Sequence, residues 1–372
     1  MSDAVGDPAA VITGPAGPPV LINGQPVLQP CALLTAQDIR TAGGYLTANP
    51  TDGLHRRVFD TTTDDLTGVD TGSRYDLPNN GPHCHYTLTI GGGTGSIDLA
   101  VHQPTYANPN GIRTATTTLT TGTTPVAIGP VAVHQRRNPN PDTTTWALIH
   151  PQALAELVIR HPDPTFTKTI VDLVAARIPT QLANPVGPPR WQYDSPTFTG
   201  DHLTACDLLD ATVVRQILGV DPIALAEETA AAAVGRIDYG DLLPGGPRNY
   251  LRTSCTRHAQ GTETTEPTDP RNQTAHSWVQ LDATTYEAPA VAQAQLAFLR
   301  GYHPDHTTVP VEDADAIHLT PSDGTPEMAI GVGRVVLQIS YGIAHRHAID
   351  TAERIRTIGR VLERVIALAQ DL

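Results

Sequence analysis

Two pairs of histidines are the residues whose spacing suggests metal chemistry. His83 and His85 flank a cysteine in "PHCHY", and His345 and His347 enclose an arginine in "AHRHA". Residues two apart on a β-strand lie on one face, so either pair would offer two imidazoles to one ion. A metal site also needs a third or fourth ligand, and no local spacing supplies one. We therefore expect solvated or hydrogen-bonded histidines, with no metal ion and no other cofactor.

Catalytic patterns are missing from the sequence. It has no Gly-x-Ser-x-Gly elbow, and acidic runs such as "TTTDDLTGVD" and "VEDADA" are typical of solvated loops. No pair of carboxylates is singled out by spacing for acid and base roles. The glycine-rich stretch "GGGTGS" at 91–96 is followed by a strand pattern and not by the helix of a phosphate-binding loop. It predicts a hairpin turn, and we predict no catalytic residues.

The four cysteines occur in two similar settings. Cys31 lies in "PCALLTAQDIRTAGG" and Cys206 in "ACDLLDATVVRQILG", and Cys84 and Cys255 follow 53 and 49 residues later. A duplicated disulfide would leave this parallel, so the spacing predicts the bonds Cys31–Cys84 and Cys206–Cys255. Four free buried thiols are the alternative. Zinc is not indicated, since no two cysteines have a short ligand spacing.

The elements that position these residues also repeat. In the first half, Thr35 is expected to cap a short helix, a polar stretch runs to residue 80, and a closing helix is expected in "TFTKTIVDLVAARI". Strands are expected at 85–90, 96–102, 126–135 and 145–149, whereas 151–161 is ambiguous. In the second half, helix 208–218 precedes the strand "SWVQLDATTY" and strands at 316–320, 327–332 and 334–341. The strongest helical period closes the chain: Ile355, Ile358, Leu362, Val365 and Ala369.

Two further segments distinguish the second half. "DPIALAEETAAAAVGRI" predicts an inserted helical segment, and "APAVAQAQLAFLRGY" predicts a helix with no counterpart in the first half. The fold class is therefore α+β, with two homologous domains that each pack an antiparallel sheet with an N-terminal and a C-terminal helix. The expected divisions are a Pro/Gly-rich tether at 1–28, repeats at 29–183 and 203–372, and a Pro-rich linker at 184–202.

Composition excludes some classes of partner. The 372 residues carry a formal net charge of −14, which repels phosphate backbones, so we expect no nucleic-acid partner. No apolar run approaches the roughly 20 residues of a membrane span. The N-terminal segment has no basic residue before Arg40 and no compact apolar region, so it does not resemble a secretory signal. Persisting disulfides would nevertheless indicate an oxidising compartment.

The repeated Cys-x-Leu-Leu motif, the second cysteine that leads a strand and the Pro-rich N-terminal segment resemble a family of exported actinobacterial lipoproteins. Their shared domain is of unknown function and is distantly similar to the extracellular sensor domains of mycobacterial receptor kinases. The resemblance covers 31–178 and 206–368. It implies an envelope location and one disulfide per domain, and it brings no catalytic residues. The sequence departs from the family in lacking the signal and the lipid-anchor cysteine, and in carrying the domain twice.

These observations predict an exported, non-enzymatic cell-envelope protein that binds a partner protein of the envelope or an apolar small ligand. Trp191 and Tyr193 are expected either to wedge the two domains together or, with Phe298, to border a groove between them. The helix that carries Phe298 could instead cover its own sheet. The alternatives are a cell-wall or lipid hydrolase with a site built from loops, and a structural component of an envelope assembly. A nucleophile, a base and an orienting acid in one site would favour the hydrolase.

Overall fold

The computed structural model describes residues 10–46, 54–64, 66, 81–90, 93–194, 198, 204–218, 221–236, 248–259, 277–303, 305–311, 314–319 and 327–342. The chain divides into two compact units. The first unit is residues 10–194, and the second is residues 195–372 together with 1–9. The expected closing helix around Ile355–Ala369 and the pair His345 and His347 lie outside the described residues.

The first unit is a mixed α+β body with antiparallel strand pairing. It begins with β1 (Ala10–Ala16), β2 (Leu21–Ile22), β3 (Gln25–Pro26), α1 (Pro30–Leu33) and α2 (Ala36–Thr41). Its further strands are β4 (Tyr45–Leu46), β5 (Leu54–Phe59), β6 (His83–Ile90), β7 (Gly93–His102), β8 (Val126–Ile128), β9 (Val131–Arg137), β10 (Thr143–His150), β11 (Ala153–Arg160) and β12 (Pro189–Asp194). Helix α3 (Pro109–Thr120) lies between β7 and β8, and α4 (Pro164–Ala183) follows β11. The main sheet of this unit has the order β5-β6-β7-β11-β10-β9-β8, and β4 also pairs with β6.

Several expected elements of the first unit are confirmed. The Thr35 hydroxyl accepts the Asp38 N–H, and the Asp38 carboxylate accepts the Thr35 N–H, which makes a capping box at the start of α2. Strands β6 and β7 form the expected hairpin, whose pairing closes at Ile90 and Gly93. The apolar residues of α4 that recur at three and four residues, such as Ile170 and Val174, are buried. Alternation and capping signals therefore located these elements correctly.

The N-terminal segment and the linker differ from their expectation. Strand β1 pairs with β12, so residues 10–28 and 184–202 contain strands where a tether and a linker were expected. Glycine allows the two backbones to lie close together here, because a Cβ at Gly187 would lie 2.0 Å from the Pro18 carbonyl oxygen. The Gly187 N–H donates to the Gly17 carbonyl at 3.0 Å. A Pro/Gly-rich composition is the same for closely packed strands and for a flexible linker, so composition alone could not distinguish the two.

Two more strands of the first unit were not expected as such. Strand β5 lies within the stretch that the sequence indicated as polar, and β11 occupies the ambiguous region 151–161. The single strand expected at 126–135 is a hairpin of β8 and β9, joined by a turn in which Gly129 has φ +57°. That left-handed backbone favours glycine, and it is what separates the two strands.

The second unit has the same class of fold. Its elements are α5 (Ala205–Leu208), α6 (Ala211–Leu218), β13 (Pro222–Arg236), β14 (Arg248–Ala259), β15 (Ser277–Tyr286), α7 (Pro289–Tyr302), β16 (Thr307–Val311), β17 (Ala314–Leu319), β18 (Glu327–Val332) and β19 (Val335–Gly342). Its sheet has the order β13-β14-β15-β19-β18-β17-β16, with antiparallel pairing. The helix expected at 208–218 begins at Ala211 as α6, where the Asp210 carboxylate caps it by accepting the Val213 N–H at 2.9 Å, and the separate short helix α5 precedes it.

The helical segment expected in "DPIALAEETAAAAVGRI" is wrong. This segment is strand β13, which pairs with β14 from Ala226 opposite Arg257 to Ala233 opposite Tyr250. Alanine and glutamate favour helices locally, but that preference is worth only tenths of a kcal/mol per residue and yields to long-range pairing. Leu225, Ala226 and Ala230 of this strand are also buried.

The two sheets share one strand order. Read in chain order, the seven main strands of each unit lie in the spatial order first, second, third, seventh, sixth, fifth, fourth. Each unit also places a helix between its third and fourth main strands, α3 in the first and α7 in the second. The expectation that α7 has no counterpart is therefore wrong. The sequence did not predict α3, because this segment is rich in threonine, which has low helix propensity. In the helix, threonine hydroxyls donate to backbone carbonyls four residues earlier, as the Thr116 hydroxyl does to the Ile112 carbonyl at 2.8 Å.

Both predicted disulfides are confirmed. Cys31 of α1 is bonded to Cys84 of β6, and Cys206 of α5 is bonded to Cys255 of β14. In each unit the bond ties the first helical segment to the second main strand of the sheet. No helix in the described part of the chain has the length and hydropathy that crossing a bilayer requires.

Candidate functional site

The sheet of the first unit has one apolar and one polar face around β6. Cys84 and Tyr86 point to the buried face, where the disulfide holds α1 and α1 contacts α4. The alternate residues of β6 lie on the other face, because side chains of a strand alternate. Directly paired residues of neighbouring strands share that face. We call the following residues the histidine face: His55, Arg57, His83, His85, Thr87, Asp98 and Glu156.

Strand register brings these residues together. His55 of β5 lies opposite His85 of β6, and Asp98 of β7 lies opposite His85 on its other side. Arg57 is paired in the same way with His83. The far end of this sheet face is apolar and is covered by α3, through contacts of Leu119 with residues of β10 and β11. The polar groups therefore lie beside the area that α3 covers.

His55 and His83 are in direct contact. Nε2 of His83 lies 3.2 Å from Nδ1 of His55, and the two ring centroids are 4.9 Å apart with the rings inclined at 61°. Burial, with the positive charges of His55 and Arg57, lowers the pKa of His83 to about 4. The His83 imidazole is therefore neutral at neutral pH. A neutral imidazole keeps one nitrogen lone pair that can accept a hydrogen bond or bind a metal ion.

His85 connects a carboxylate to a hydroxyl. Its Nδ1 lies 2.5 Å from Oδ1 of Asp98, and its Nε2 lies 3.1 Å from Oγ1 of Thr87. If Nδ1 carries the proton and donates it to Asp98, then Nε2 accepts from the Thr87 hydroxyl. This hydroxyl, imidazole and carboxylate order is the one by which hydrolases activate a nucleophile. The side chains of His85 and Asp98 are 31% and 47% exposed, so water reaches both.

Glu156 adds a second carboxylate to the histidine face. It lies on β11 opposite Ala100 of β7, which in turn lies opposite His83. Burial raises the pKa of Glu156, while the charge of Arg136 lowers it and that of Asp98 raises it again. The histidine face thus combines imidazoles with carboxylates, which suits a polar ligand more than an apolar one.

The histidine face is not a requirement of the fold, as the second unit shows. Cys84 lies opposite Leu99 and Cys255 lies opposite Leu281, so the two disulfides give the sheets a common register. In that register the places of His55, His83, His85 and Asp98 are taken by Glu227, Ser254, Thr256 and Gln280. The same sheet therefore forms without these histidines.

The residues expected at an interdomain groove lie in different settings. Trp191 is 2% exposed and packs inside the first unit, with the Arg56 guanidinium carbon 4.6 Å from its ring centroid. Its ring therefore presents almost no surface to a ligand. The Tyr193 backbone pairs with Val11 in the β1–β12 ladder. Phe298 is half-buried on α7 and stacks on Tyr302 at a centroid distance of 6.0 Å.

Helix α7 covers the sheet of its own unit, which is the simpler of the two expectations. Its buried side chains include Ala292, Leu296 and Leu299. These pack with Tyr250 and Tyr286 in one apolar cluster. The small residues Ala290 and Ala297 are exposed on the opposite side of the helix.

Sequence reasoning singled out His83 and His85 but missed their partners. His55 and Asp98 belong to strands whose register with β6 is set by long-range pairing. The only local signal was the alternation of His55 and Arg57 with buried residues in "LHRRVF". Within the described residues, no three histidine, cysteine or carboxylate side chains are arranged to hold a metal ion.

Comparison with known proteins gives no match: no family model, no curated protein and no solved structure matches the chain. The resemblance to exported actinobacterial lipoproteins therefore stays a prediction. What can be argued about function comes from the two units and the histidine face.

Proposed function

We propose that this protein is an exported cell-envelope protein built from two copies of one α+β fold, and that it binds a ligand or partner through the histidine face of the first unit. The observation that carries the proposal is the set of polar groups at His55, His83, His85 and Asp98, where the matching sheet of the second unit has other residues. Residues that the fold does not need are candidates for function.

The duplication is supported by three shared features. The seven main strands follow the same order, each disulfide joins the first helical segment to the second main strand, and a helix follows the third strand in each unit. Independent origin would have to reproduce all three. We therefore expect 29–183 and 203–372 to superpose as copies of one fold.

Export is supported by the cysteines, all four of which are used in disulfides. Disulfides of this kind persist in oxidising compartments and are rare in reducing ones. We expect all four cysteines to resist alkylation in protein taken from the cell without reductant. Ready alkylation of any of them, or recovery of the chain in the cytosolic fraction, would contradict an envelope location.

Binding at the histidine face can be tested by site-specific photocrosslinking. Thr87 in β6 is half-buried, and Thr256 in β14 is an equally half-buried threonine on the corresponding face of the second unit. Either threonine is replaced by p-benzoylphenylalanine, and intact cells of the source organism are irradiated. We expect a discrete crosslinked product from position 87 and none from position 256. Equal products from both positions, or no product at position 87, would argue against the proposed surface.

A hydrolase is the second candidate, and the contacts of Thr87, His85 and Asp98 favour it. In this case His85 would remove the Thr87 proton during attack on an ester or amide carbonyl, and Asp98 would stabilise the imidazolium. Thr87→Val and Asp98→Asn should then each lower the hydrolysis of activated esters at least a hundredfold. Hydrolysis that is absent, or is unchanged in Thr87→Val, would remove this candidate.

A further inference from the structure

We propose that the histidine face binds a neutral, hydroxyl-rich chain, that is, a polysaccharide. This inference rests on the histidine face being the binding surface of the proposed function, and it adds the chemical class of the ligand. Three features support it: the balanced charges on this side of the sheet, the mixture of hydrogen-bond donors and acceptors, and the open position on four neighbouring strands.

Positive and negative groups on this side of the sheet balance each other. Asp98 and Glu156 are carboxylates, and Arg57 of β5 is a guanidinium. Strand pairing places Arg136 of β9 on the same side, and its charge acts on Glu156. The whole chain, by contrast, carries a formal net charge of −14. A ligand with a strong charge of either sign would meet like charges here, whereas a neutral ligand would not.

The histidine face contains both donors and acceptors of hydrogen bonds. Its two carboxylates accept, the Arg57 guanidinium donates, and the Thr87 hydroxyl and the His85 imidazole can do both. A sugar hydroxyl also donates and accepts through one oxygen atom, so neighbouring hydroxyls of a sugar can join a carboxylate to a donor. Each of these side chains is half-buried and therefore partly accessible to a ligand.

The composition of the histidine face differs from that of a protein-binding surface. The centres of protein interfaces are enriched in aromatic residues and methionine, and they contain few charged residues. Every member of the histidine face is instead polar or charged. The backbones of β6 and β7 pair with a strand on each side, so a peptide cannot add to them as a further strand. Recognition must therefore come from the side chains.

The position of the histidine face suits a chain-like ligand. Four neighbouring strands, β5, β6, β7 and β11, contribute to it, and their spacing of about 4.8 Å makes it about 14 Å wide. Helix α3 covers the area beside it, whereas the side chains of His85 and Asp98 are 31% and 47% exposed. A long chain can cross such an open surface and contact several side chains in turn. A small ligand would instead need a pocket that surrounds most of it.

The test uses the full chain and the neutral polysaccharide fraction extracted from the envelope of the source organism. Anion exchange separates this fraction from charged polymers, and binding is measured in affinity gels as slower migration of the protein. We expect the neutral fraction to slow the protein at high and low salt, because the binding does not require ionic attraction. Periodate, which oxidises neighbouring hydroxyls of sugars, should abolish the effect. Dextran sulfate is the anionic comparison and should not slow the protein.

Variants separate the histidine face from other surfaces. Arg57→Gln and Asp98→Ala should each weaken binding at least tenfold, because each removes hydrogen bonds to a charged group. Glu227→Ala is the matched control and should change binding less than twofold. It removes a half-buried carboxylate from the corresponding face of the second unit, in the place of His55. Circular dichroism shows whether each variant is folded.

Three results would overturn the proposal. The first is that the neutral fraction does not slow the wild-type protein. The second is that periodate treatment of the fraction leaves the binding unchanged. The third is that folded Arg57→Gln and folded Asp98→Ala both bind as the wild type does, which would place the binding on another surface.

Failure of this inference can be distinguished from failure of the proposed function. If the neutral fraction does not bind but position 87 still gives a product whose added mass protease removes, the histidine face binds a protein. The proposed function then stands and the polysaccharide does not. If the neutral fraction binds with the expected variant pattern, the product at position 87 should stain for carbohydrate. If neither the neutral fraction nor a crosslinked product is found, both proposals fail.

Discussion

Removal of the Cys31–Cys84 disulfide should destabilise the first unit by about 4 kcal/mol and leave the second unit unchanged. The bond closes a loop with a sequence separation of 53 residues. In the chain-entropy treatment, a loop of this size limits the unfolded chain enough to stabilise the folded state by about 4 kcal/mol. Both cysteines are 0% exposed, so Cys31→Ala with Cys84→Ala avoids burying the hydroxyl that serine would introduce.

The second unit provides the reciprocal experiment. The Cys206–Cys255 bond has a separation of 49 residues, so Cys206→Ala with Cys255→Ala should cost nearly the same, about 4 kcal/mol, in the second unit alone. Hydrogen exchange followed by mass spectrometry during urea titration resolves the two units through peptides of β6 and β14. The unfolding free energy of each follows from its midpoint and slope.

Two results would refute this reasoning. A loss below about 2 kcal/mol in the altered unit would mean that the unfolded chain is not constrained as the loop length implies. Equal losses in both units after removal of one bond would mean that the two units do not unfold separately. In either case the disulfides could not be regarded as independent supports of two cores.

Three further perturbations test individual contacts. Trp191→Ala should lower the stability of the first unit by about 3–5 kcal/mol, because a buried ring that packs beneath Arg56 is lost. An unchanged melting temperature would contradict this packing. Burial raises the pKa of Asp38, but hydrogen bonds from Arg177 and Thr35 outweigh it and lower the pKa below its usual 3.8. The stability that Asp38 contributes is therefore present above pH 3.8 and is lost as the pH falls through the pKa that Asp38 has in the folded state. Urea unfolding midpoints measured between pH 5 and 2 should show this loss in the wild type but not in Asp38→Asn. Burial lowers the pKa of His102 from 6.5 to about 4. Between these two values the unfolded chain binds a proton at this residue and the folded chain does not, so the free energy of unfolding should fall by an amount on the order of 3 kcal/mol as the pH is lowered from 6.5 to 4. His102→Gln should flatten that part of the curve of stability against pH.

The sequence predicted correctly the features that depend on cysteine spacing or on residues close together in the chain. The similar cysteine spacing in the two halves identified both disulfides, whose sequence separations are 53 and 49 residues. The hairpin of β6 and β7 followed from alternation of polar and apolar residues, since one face of those strands is buried. The capping box at Thr35 and Asp38 needs only residues three apart.

Long-range packing decided the elements that were predicted wrongly or missed. Strand β13 has a helix-forming composition, and its pairing with β14 outweighs that local preference. Helix α3 forms from threonines because its few apolar residues, such as Leu119, pack on the sheet. In the histidine face, His55 and Asp98 could not be assigned to His83 and His85 without the strand register. Each of these outcomes depends on residues far apart in the chain.

The two units give an internal comparison that separates the needs of the fold from those of a site. On the buried side of the sheet, both units carry a cysteine opposite a leucine, Cys84 with Leu99 and Cys255 with Leu281. On the opposite side, Glu156 of the first unit corresponds to Gln338 of the second, since each lies opposite the residue that follows this leucine. The residue types on this side differ between the units: Glu227 takes the place of His55, and Asp282 takes the place of Ala100, whereas the core pairing is kept. The pairing of cysteine with leucine therefore accompanies the shared strand order, whereas the residues on the opposite side can differ between the units without a change in that order.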